Sequence, residues 1–184
     1  MAESDEHTTL PLPEFNPSAR ILIVCAPYYR QIAEGLLAGA RTTIEAAGCS
    51  HDLVEVPGAL EIPPAIRIAA EHQGYSAYVA LGCIVRGETT HYDTVCNDSS
   101  RGLMLLGVDH GLCIGNGILT CENMDQAIAR ADPTGMNKGG GAAAAALHLA
   151  ALKRQFRVKR GGDAPVPEGD DFMLAGGTGL SRTI

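Results

Sequence analysis

The chain has 184 residues, enough for one domain with a substantial core and too few for two comfortable ones. Its 21 acidic residues outnumber 14 basic ones, which excludes the electrostatic footprint of a nucleic-acid-binding protein. Apolar residues make up 46% of the chain and aromatic residues only 4%, so the core must be aliphatic and rich in alanine. The acidic amino terminus has no hydrophobic signal region, and no apolar run reaches the roughly 18 residues of a membrane span, so we expect a cytoplasmic protein without membrane contact.

Strand and helix patterns alternate along the chain. The continuous aliphatic run over 20–26 predicts a strand buried on both faces, and the apolar stripe over 29–47 predicts a helix that Gly48 terminates. Further strands are predicted over 51–57, 77–85 and 112–120, and further helices over 62–74, 91–107, 123–131 and 137–156. This alternation predicts a three-layer α/β sandwich with a four-stranded parallel sheet and helices on both faces.

The two ends of the chain differ in composition from this middle part. Residues 1–19 carry several prolines and little periodicity, and residues 158–184 are rich in Gly, Pro and Asp. We therefore expect a domain over 20–157 between two tails that are flexible or docked on a neighbour.

The six cysteines form no CxxC pair, and most stand in strongly apolar or helical surroundings. We interpret them as reduced core residues, with a disulfide framework or a zinc site as the alternative, and we predict no metal. They are Cys25, Cys49, Cys83, Cys96, Cys113 and Cys121.

Ligands of open α/β sheets bind outside the carboxyl ends of the strands. This rule selects four loops, at 27–29, 57–61, 86–91 and 121–123. Each of them carries a polar or aromatic group suited to ligand contact. The sequence therefore predicts one binding site at this edge.

The third loop, "RGETTH", has the clearest chemistry. Gly87 allows close backbone approach, Thr89 offers a hydroxyl, and the following helix directs free N–H groups and its positive dipole end outward. These features favour an anion site, most plausibly for phosphate, although Thr90 could simply cap the helix. Glu88 argues against an anion unless its side chain points away. A neutral His91 could move protons here, or it could be a packing or capping residue.

Three further residues are candidates on weaker grounds. Lys138 opposes the dipole at the start of a helix, which suggests a ligand, although a solvated lysine is the alternative. Arg130 stands at the favourable, carboxyl end of its helix and is unremarkable by this logic alone. Tyr28, at a strand's carboxyl end, could stack on a planar heterocycle or merely cover the sheet edge.

Four separated motifs identify a family resemblance. "VPGALEIP" (56–63), "ALGCIVRGETTHYD" (80–93), "GNGILTCEN" (115–123) and "NKGG" (137–140) resemble, in order and spacing, those of the lumazine synthase family. The resemblance covers about residues 20–157 and implies a flavodoxin-like fold. It also implies the family's reaction, in which 5-amino-6-(D-ribitylamino)uracil and 3,4-dihydroxy-2-butanone 4-phosphate give 6,7-dimethyl-8-ribityllumazine, phosphate and water. This penultimate step of riboflavin biosynthesis uses no metal or organic cofactor.

The resemblance also implies roles for individual residues. His91 matches the family's general acid/base, Lys138 the lysine near the substrates, and Arg130 the arginine that pairs with the phosphate. The phosphate loop matches Gly87, Glu88 and Thr89. The ribityl-binding segment matches Ala59, Leu60 and Glu61, and the backbone that reads the pyrimidine matches Cys83, Ile84 and Val85.

The chain departs from the family pattern at two places. The family aromatic that stacks on the pyrimidine usually lies between an arginine and an asparagine, whereas Tyr28 lies between Pro27 and Tyr29. A phenylalanine that commonly faces the pocket from the fourth strand is replaced by Asn116. These departures bear on pocket affinity more than on the reaction class.

Family members form pentamers with each active site between adjacent subunits, and some pentamers pack further into decamers or hollow 60-subunit shells. By analogy, Asn116, Arg130 and Lys138 would reach the site from the neighbouring chain, and the sequence does not choose among the assemblies. Two other functions stay open, a flavin- or lumazine-binding protein without turnover and a shell with a structural role. An intact set of His91, Arg130 and Lys138 favours the enzyme.

Overall fold

The structure is a computed structural model that describes residues 10–72 and 74–161, with side chains up to Arg157 in the last helix. The strands are β1 Arg20–Cys25, β2 Ser50–Glu55, β3 Ala77–Val85 and β4 Ile114–Cys121. The helices are α1 Arg30–Ala46, α2 Ile62–Glu71, α3 His91–His110, α4 Met124–Ala131 and α5 Lys138–Gly161, and a 3₁₀ turn over Ala59–Glu61 precedes α2.

The four strands form one parallel sheet in the order β2-β1-β3-β4. Alternate side chains of β1 serve different faces: Ile21 and Ile23 pack with α1, α4 and α5, whereas Leu22 and Val24 pack with α2 and α3. Both faces of the sheet are thus covered, which explains the uninterrupted aliphatic run in β1. The predicted three-layer, flavodoxin-like α/β sandwich is confirmed.

The predicted ends of the elements differ from the observed ends by a few residues. Strand β3 has the predicted bounds, but α3 continues past the predicted residue 107 to His110. Gly111 ends this helix in the left-handed conformation, with φ 60°, and the N–H of Leu112 donates to the carbonyl of Leu106 at 3.3 Å. Glycine adopts this helix-ending conformation at little steric cost because it has no Cβ.

Part of the predicted amino-terminal tail lies on the domain. Phe15 is buried, and the guanidinium of Arg154 in α5 lies 4.9 Å above its ring and donates to the carbonyl of Pro17 at 2.8 Å. Ser18 donates to the carbonyl of Gly48 at 2.7 Å. Residues 1–9 and 162–184, which make up the rest of the predicted tails, lie outside the described residues, so the domain boundaries at 20 and 157 stay predictions.

All six cysteines are free thiols, five of them buried and Cys96 half-buried. Burial raises the pKa of the Cys25 thiol to about 11 and that of the Cys83 thiol to about 12, so both are protonated near neutral pH. Within residues 10–72 and 74–161, no group of three or more His, Cys, Asp or Glu side chains is arranged to hold a metal ion. No helix in the same ranges has the length and hydrophobicity to cross a membrane.

Helix α5 packs very closely against α1 and β4 because small residues line the contact. A Cβ on Gly139 would collide with the backbone carbonyl of Leu36 in α1, and one on Gly115 in β4 would collide with that of Ala142. Glycines at such positions permit backbone-to-backbone approach that any larger residue prevents. This packing determines where α5, and with it Lys138, stands relative to the sheet.

We predict that Gly139→Ala lowers the free energy of unfolding by about 1–3 kcal/mol, since the new methyl group must displace a backbone rather than a flexible side chain. Gly141→Ala is the matched control in the same helix, because a Cβ there meets nothing within 4 Å. It should be neutral or stabilising by up to about 1 kcal/mol, through helix propensity. Denaturant unfolding at one fixed protein concentration measures both, and equal effects would contradict the close-packing explanation.

Candidate active site

A cleft of about 400 Å³ opens at the carboxyl edge of the sheet, between the loops that follow β1, β2 and β3 and the first turn of α3. Ten predicted site residues line it: Tyr28, Ala59, Leu60, Glu61, Cys83, Ile84, Val85, Gly87, Thr89 and His91. The structure therefore brings together residues that lie up to 63 positions apart, from Tyr28 to His91. Their individual roles stay predictions.

The floor of the cleft is the end of β3. The ladder between β1 and β3 ends at the pair Cys25 and Leu81, and the ladder between β3 and β4 continues to Val85 and Cys121. Beyond Leu81, β3 therefore has a strand partner on the β4 side alone. Backbone N–H and C=O groups on the free side of a strand edge can pair with a ligand, and this edge lies at Cys83, Ile84 and Val85.

The loop between β3 and α3 leaves the start of the helix open. Thr90 occupies the N-cap position, but its side chain makes no capping hydrogen bond. The hydroxyl of Thr89 instead accepts a long hydrogen bond of 3.4 Å from the N–H of His91. A Cβ on Gly87 would meet no atom within 4 Å. Free space beside incompletely capped N–H groups suits an anion. The side chain of Glu88 is exposed and does not line the cleft.

Two adjacent tyrosines form one wall. Tyr28 is 74% exposed, and the ring of Tyr29 meets it edge-on, with centroids 5.0 Å apart and planes at 77°. Tyr29 packs against the buried core, and burial raises the pKa of its hydroxyl. The exposed ring of Tyr28 can thus stack on a planar ligand, while Tyr29 supports it from the side.

Sequence reasoning missed several residues that line the cleft, notably Tyr29, Tyr92 and Val95. Tyr92 directly follows His91, and Val95 lies one turn further along α3 on the same side as His91. Helical spacing counted from His91 would have found Val95, which lies four residues further on, but not Tyr92, because adjacent residues on a helix point in different directions. Tyr29 lies next to the predicted Tyr28 in the loop that follows β1, so its position in that loop is the signal that could have identified it.

Asn116, Arg130 and Lys138 do not line the cleft of the single chain. Asn116 lies on β4, where its Oδ1 accepts from the N–H of Ile118 at 3.0 Å. The Nη1 of Arg130 donates to the carbonyl of Gln126 at 3.2 Å. Lys138 begins α5 and is exposed. One chain therefore supplies the histidine and the loop of the predicted site, but not its two cations.

The backbone before Lys138 is shaped by an asparagine. Asn137 adopts the left-handed conformation, with φ 45°, and its Oδ1 accepts from the N–H of Gly140 at 3.0 Å. This side chain caps α5 and fills the space next to Gly39 in α1. Asn137 therefore caps the first turn of α5 and also packs against α1.

Known proteins of one family are similar to this chain. The sequence model of the 6,7-dimethyl-8-ribityllumazine synthase family matches residues 18–154. A protein of that name from Jannaschia sp. (strain CCS1) is 50% identical over 160 residues, which cover 87% of this chain and 89% of the relative. Relatives of the same name from Sphingopyxis alaskensis and Methylorubrum populi are 54% and 58% identical over 140 and 145 residues, which cover 76% of this chain and 99% and 86% of the relatives. The chain belongs to the 6,7-dimethyl-8-ribityllumazine synthase family.

Proposed function

We propose that this chain catalyses the reaction for which its family is named. It joins 5-amino-6-(D-ribitylamino)uracil to 3,4-dihydroxy-2-butanone 4-phosphate and releases phosphate and water, as a transferase of riboflavin biosynthesis. The observation that carries this proposal is the cleft itself, where an exposed aromatic ring, an open strand edge and a histidine beside an anion-suited loop face one space. The identity of 50% to 58% with relatives of that name supports it.

The pyrimidine substrate fits the half of the cleft next to β1 and β2. Its planar ring stacks on Tyr28, and its polar edge pairs with the free backbone of Cys83, Ile84 and Val85. The ribityl chain lies along Ala59, Leu60 and Glu61, where the carboxylate of Glu61 can accept hydrogen bonds from hydroxyl groups.

The butanone phosphate fits the other half. Its phosphate is held by the backbone of Gly87 and Glu88, the hydroxyl of Thr89 and the positive end of the α3 dipole. These groups supply hydrogen bonds but no full positive charge. Arg130 and Lys138 complete the phosphate site with the two cations that the cleft of one chain lacks.

The reaction consists of condensation steps that each move a proton. The primary amine of the pyrimidine adds to the ketone, and one water leaves as an imine forms. Phosphate is then eliminated, and the enol that remains becomes a ketone. The ribityl-bearing amine adds to this ketone, and a second water leaves as the ring closes. His91 lines the cleft beside the phosphate loop, so its imidazole can take a proton from an attacking amine and return it to a leaving oxygen. Much of the acceleration comes from orientation, because the two substrates are held together in one cleft.

The distribution of the site residues supports active sites shared between adjacent chains, as in the pentamers that the family resemblance implies. Asn116, Arg130 and Lys138 would then reach the cleft of an adjacent chain. This arrangement explains why they do not line the cleft of their own chain. Large apolar side chains stand exposed on α3 and α5, among them Met104, Val108 and Phe156, and these would be covered by neighbouring subunits. Six free thiols suit a reducing compartment, which supports a cytoplasmic location.

The deciding experiment mixes the purified protein with both substrates and follows the absorbance of the lumazine product and the release of phosphate. Turnover above the uncatalysed rate is expected. A protein that binds the lumazine but does not accelerate its formation would be a binding protein, the alternative suggested by the amide of Asn116 in place of an apolar wall. That result would overturn the proposal.

We predict that His91→Ala lowers kcat by about tenfold or more while KM for either substrate changes little, because proton transfer is lost but binding surfaces remain. Steady-state kinetics with each substrate varied in turn measures the effect. His110→Ala, at the opposite end of the same helix, is the control and should retain wild-type kcat. An unchanged kcat in the His91 variant would refute the acid/base role.

We predict that Arg130→Ala raises KM for the butanone phosphate by about tenfold or more and leaves KM for the pyrimidine nearly unchanged, since a charged contact to phosphate is removed. Arg67→Ala removes an exposed arginine that pairs with Glu71 on α2, away from the predicted phosphate site, and it serves as the control. Substrate-saturation curves separate the two constants. The same KM as the unaltered protein would refute the assigned role of Arg130.

Active sites shared between chains predict complementation. If His91 and Arg130 of different subunits form one site, then mixed assemblies of His91→Ala and Arg130→Ala chains contain some sites with both residues intact. Random mixing in a ring gives wild-type composition at about a quarter of the sites. Co-refolding the two variants and assaying turnover tests this. Activity no higher than the mean of the separate variants would place both residues in one chain's site.

A further inference from the structure

An arginine outside the predicted site joins the two loops next to His91. Arg86 directly follows β3, and its Nε donates to Oε2 of Glu122, after β4, at 2.6 Å. Its Nη1 contacts Oδ1 of Asp93 at 3.4 Å, and its guanidinium carbon lies 4.0 Å from the centre of the Tyr92 ring. One planar group thereby contacts the end of β4 and the first turn of α3.

Glu122 is itself held firmly. The N–H of Arg86 donates to the carbonyl of Cys121 at 2.9 Å, which carries the β3–β4 ladder one residue further. The N–H of Glu122 donates to Oε1 of Gln126 at 3.1 Å, and Oδ1 of Asn123 caps α4 by accepting from the N–H of Gln126 at 3.0 Å. The carboxylate that receives Arg86 therefore starts from a fixed backbone.

The consequence falls on His91. Tyr92, on which Arg86 lies, is the next residue and also lines the cleft. Gly87, the first residue of the anion-suited loop, directly follows Arg86 in the chain. A rotation of the first turn of α3 would have to break the contacts of Arg86 with Tyr92 and Asp93. The His91 imidazole and the loop that begins at Gly87 are therefore both adjacent to groups that the Arg86 side chain or backbone holds in place.

We propose that Arg86 and Glu122 are positioning residues, which hold His91 and the loop over residues 87–89 in the geometry that proton transfer needs. This inference rests on the proposed function, because it concerns the efficiency of that reaction. Placement of a catalytic group to within a fraction of an ångström decides much of its effect. Arg86 contacts no substrate in this role.

A direct contact between Arg86 and the substrate phosphate fits the structure less well. Two carboxylates, Glu122 and Asp93, compensate its charge, and Tyr92 covers one face of its guanidinium. Arg86 also does not line the cleft in the part of the chain that the structure describes. The hydrogen bond to Glu122 is the main cause that raises the pKa of Arg86.

The chain contains a matched control at the opposite end of the sheet. The Nε of Arg20 donates to Oδ2 of Asp52 at 2.6 Å, also between neighbouring strands, and its guanidinium carbon lies 5.0 Å from the centre of the Tyr75 ring. This ion pair has nearly the same chemistry but lies at the amino edge, away from the cleft. Its loss should perturb the domain similarly without reaching His91.

The test uses variants that keep the net charge of the chain, so that a change in net charge near the loop does not alter phosphate binding. They are the double variant Arg86→Gln/Glu122→Gln and the single variant Arg86→Lys, which lacks the planar fork and face of arginine. We expect kcat to fall by about tenfold or more in both, with KM for either substrate within about threefold. The double control Arg20→Gln/Asp52→Asn should keep kcat within about twofold, and thermal unfolding midpoints of both double variants should be similar.

Several results would overturn the inference. A raised KM for the butanone phosphate with unchanged kcat would make Arg86 a substrate ligand, and full activity of Arg86→Lys would show that charge alone matters. An equal loss of kcat in the control would make the effect one of general stability. Should the double variant not fold, the lysine variant carries the same comparison of kcat with KM. Absence of turnover in the unaltered protein is a different outcome, which would refute the proposed function itself.

Discussion

The stagger of β3 against its two neighbours is the constraint on which the rest of the site depends. Its nine residues pair with β1 as far as Leu81 but with β4 as far as Val85. The last residues of β3, after Leu81, are therefore hydrogen-bonded to β4 on one side and have no strand partner on the other. A rigid strand end supplies a precise edge for a planar ligand, and it also fixes the starting point of the loop that leads to His91.

Close packing by small residues carries this constraint across the molecule. Gly115 and Gly139 allow α5 to approach the backbones of β4 and α1, so the sheet and the helices on that face form one rigid layer pair. The cleft of the single chain is nevertheless not lined by Arg130 or Lys138, the two cations of the predicted site. In the proposed assembly, an adjacent chain would supply these two residues.

Much of the fold was predictable because it is local in origin. The aliphatic run of β1, the alternation of strands with helices and the glycine at 48 each depend on a few consecutive residues, and the observed layers agree with them. The ends of α2 and α3 were predicted less well, since helix ends depend on capping geometry such as the left-handed Gly111. Ten of the predicted site residues line the cleft, whereas Tyr92 and Arg86 were not predicted. The importance of Arg86 lies in its contact with Glu122 at the end of another strand, and that of Tyr92 in its contact with Arg86.

The sequence by itself determined the class of the fold, the edge of the sheet at which the cleft opens and the family, because periodicity, the parallel-sheet rule and four spaced motifs are all properties of the order of residues. Tertiary structure alone decided which groups share a space. Only the register of β3 with β1 and β4 reveals the free strand edge, and only the tertiary packing separates His91, within the cleft, from Arg130 and Lys138, outside it. The physical reason is that a distance between side chains far apart in the chain depends on the packing of every element between them, and no local pattern encodes it.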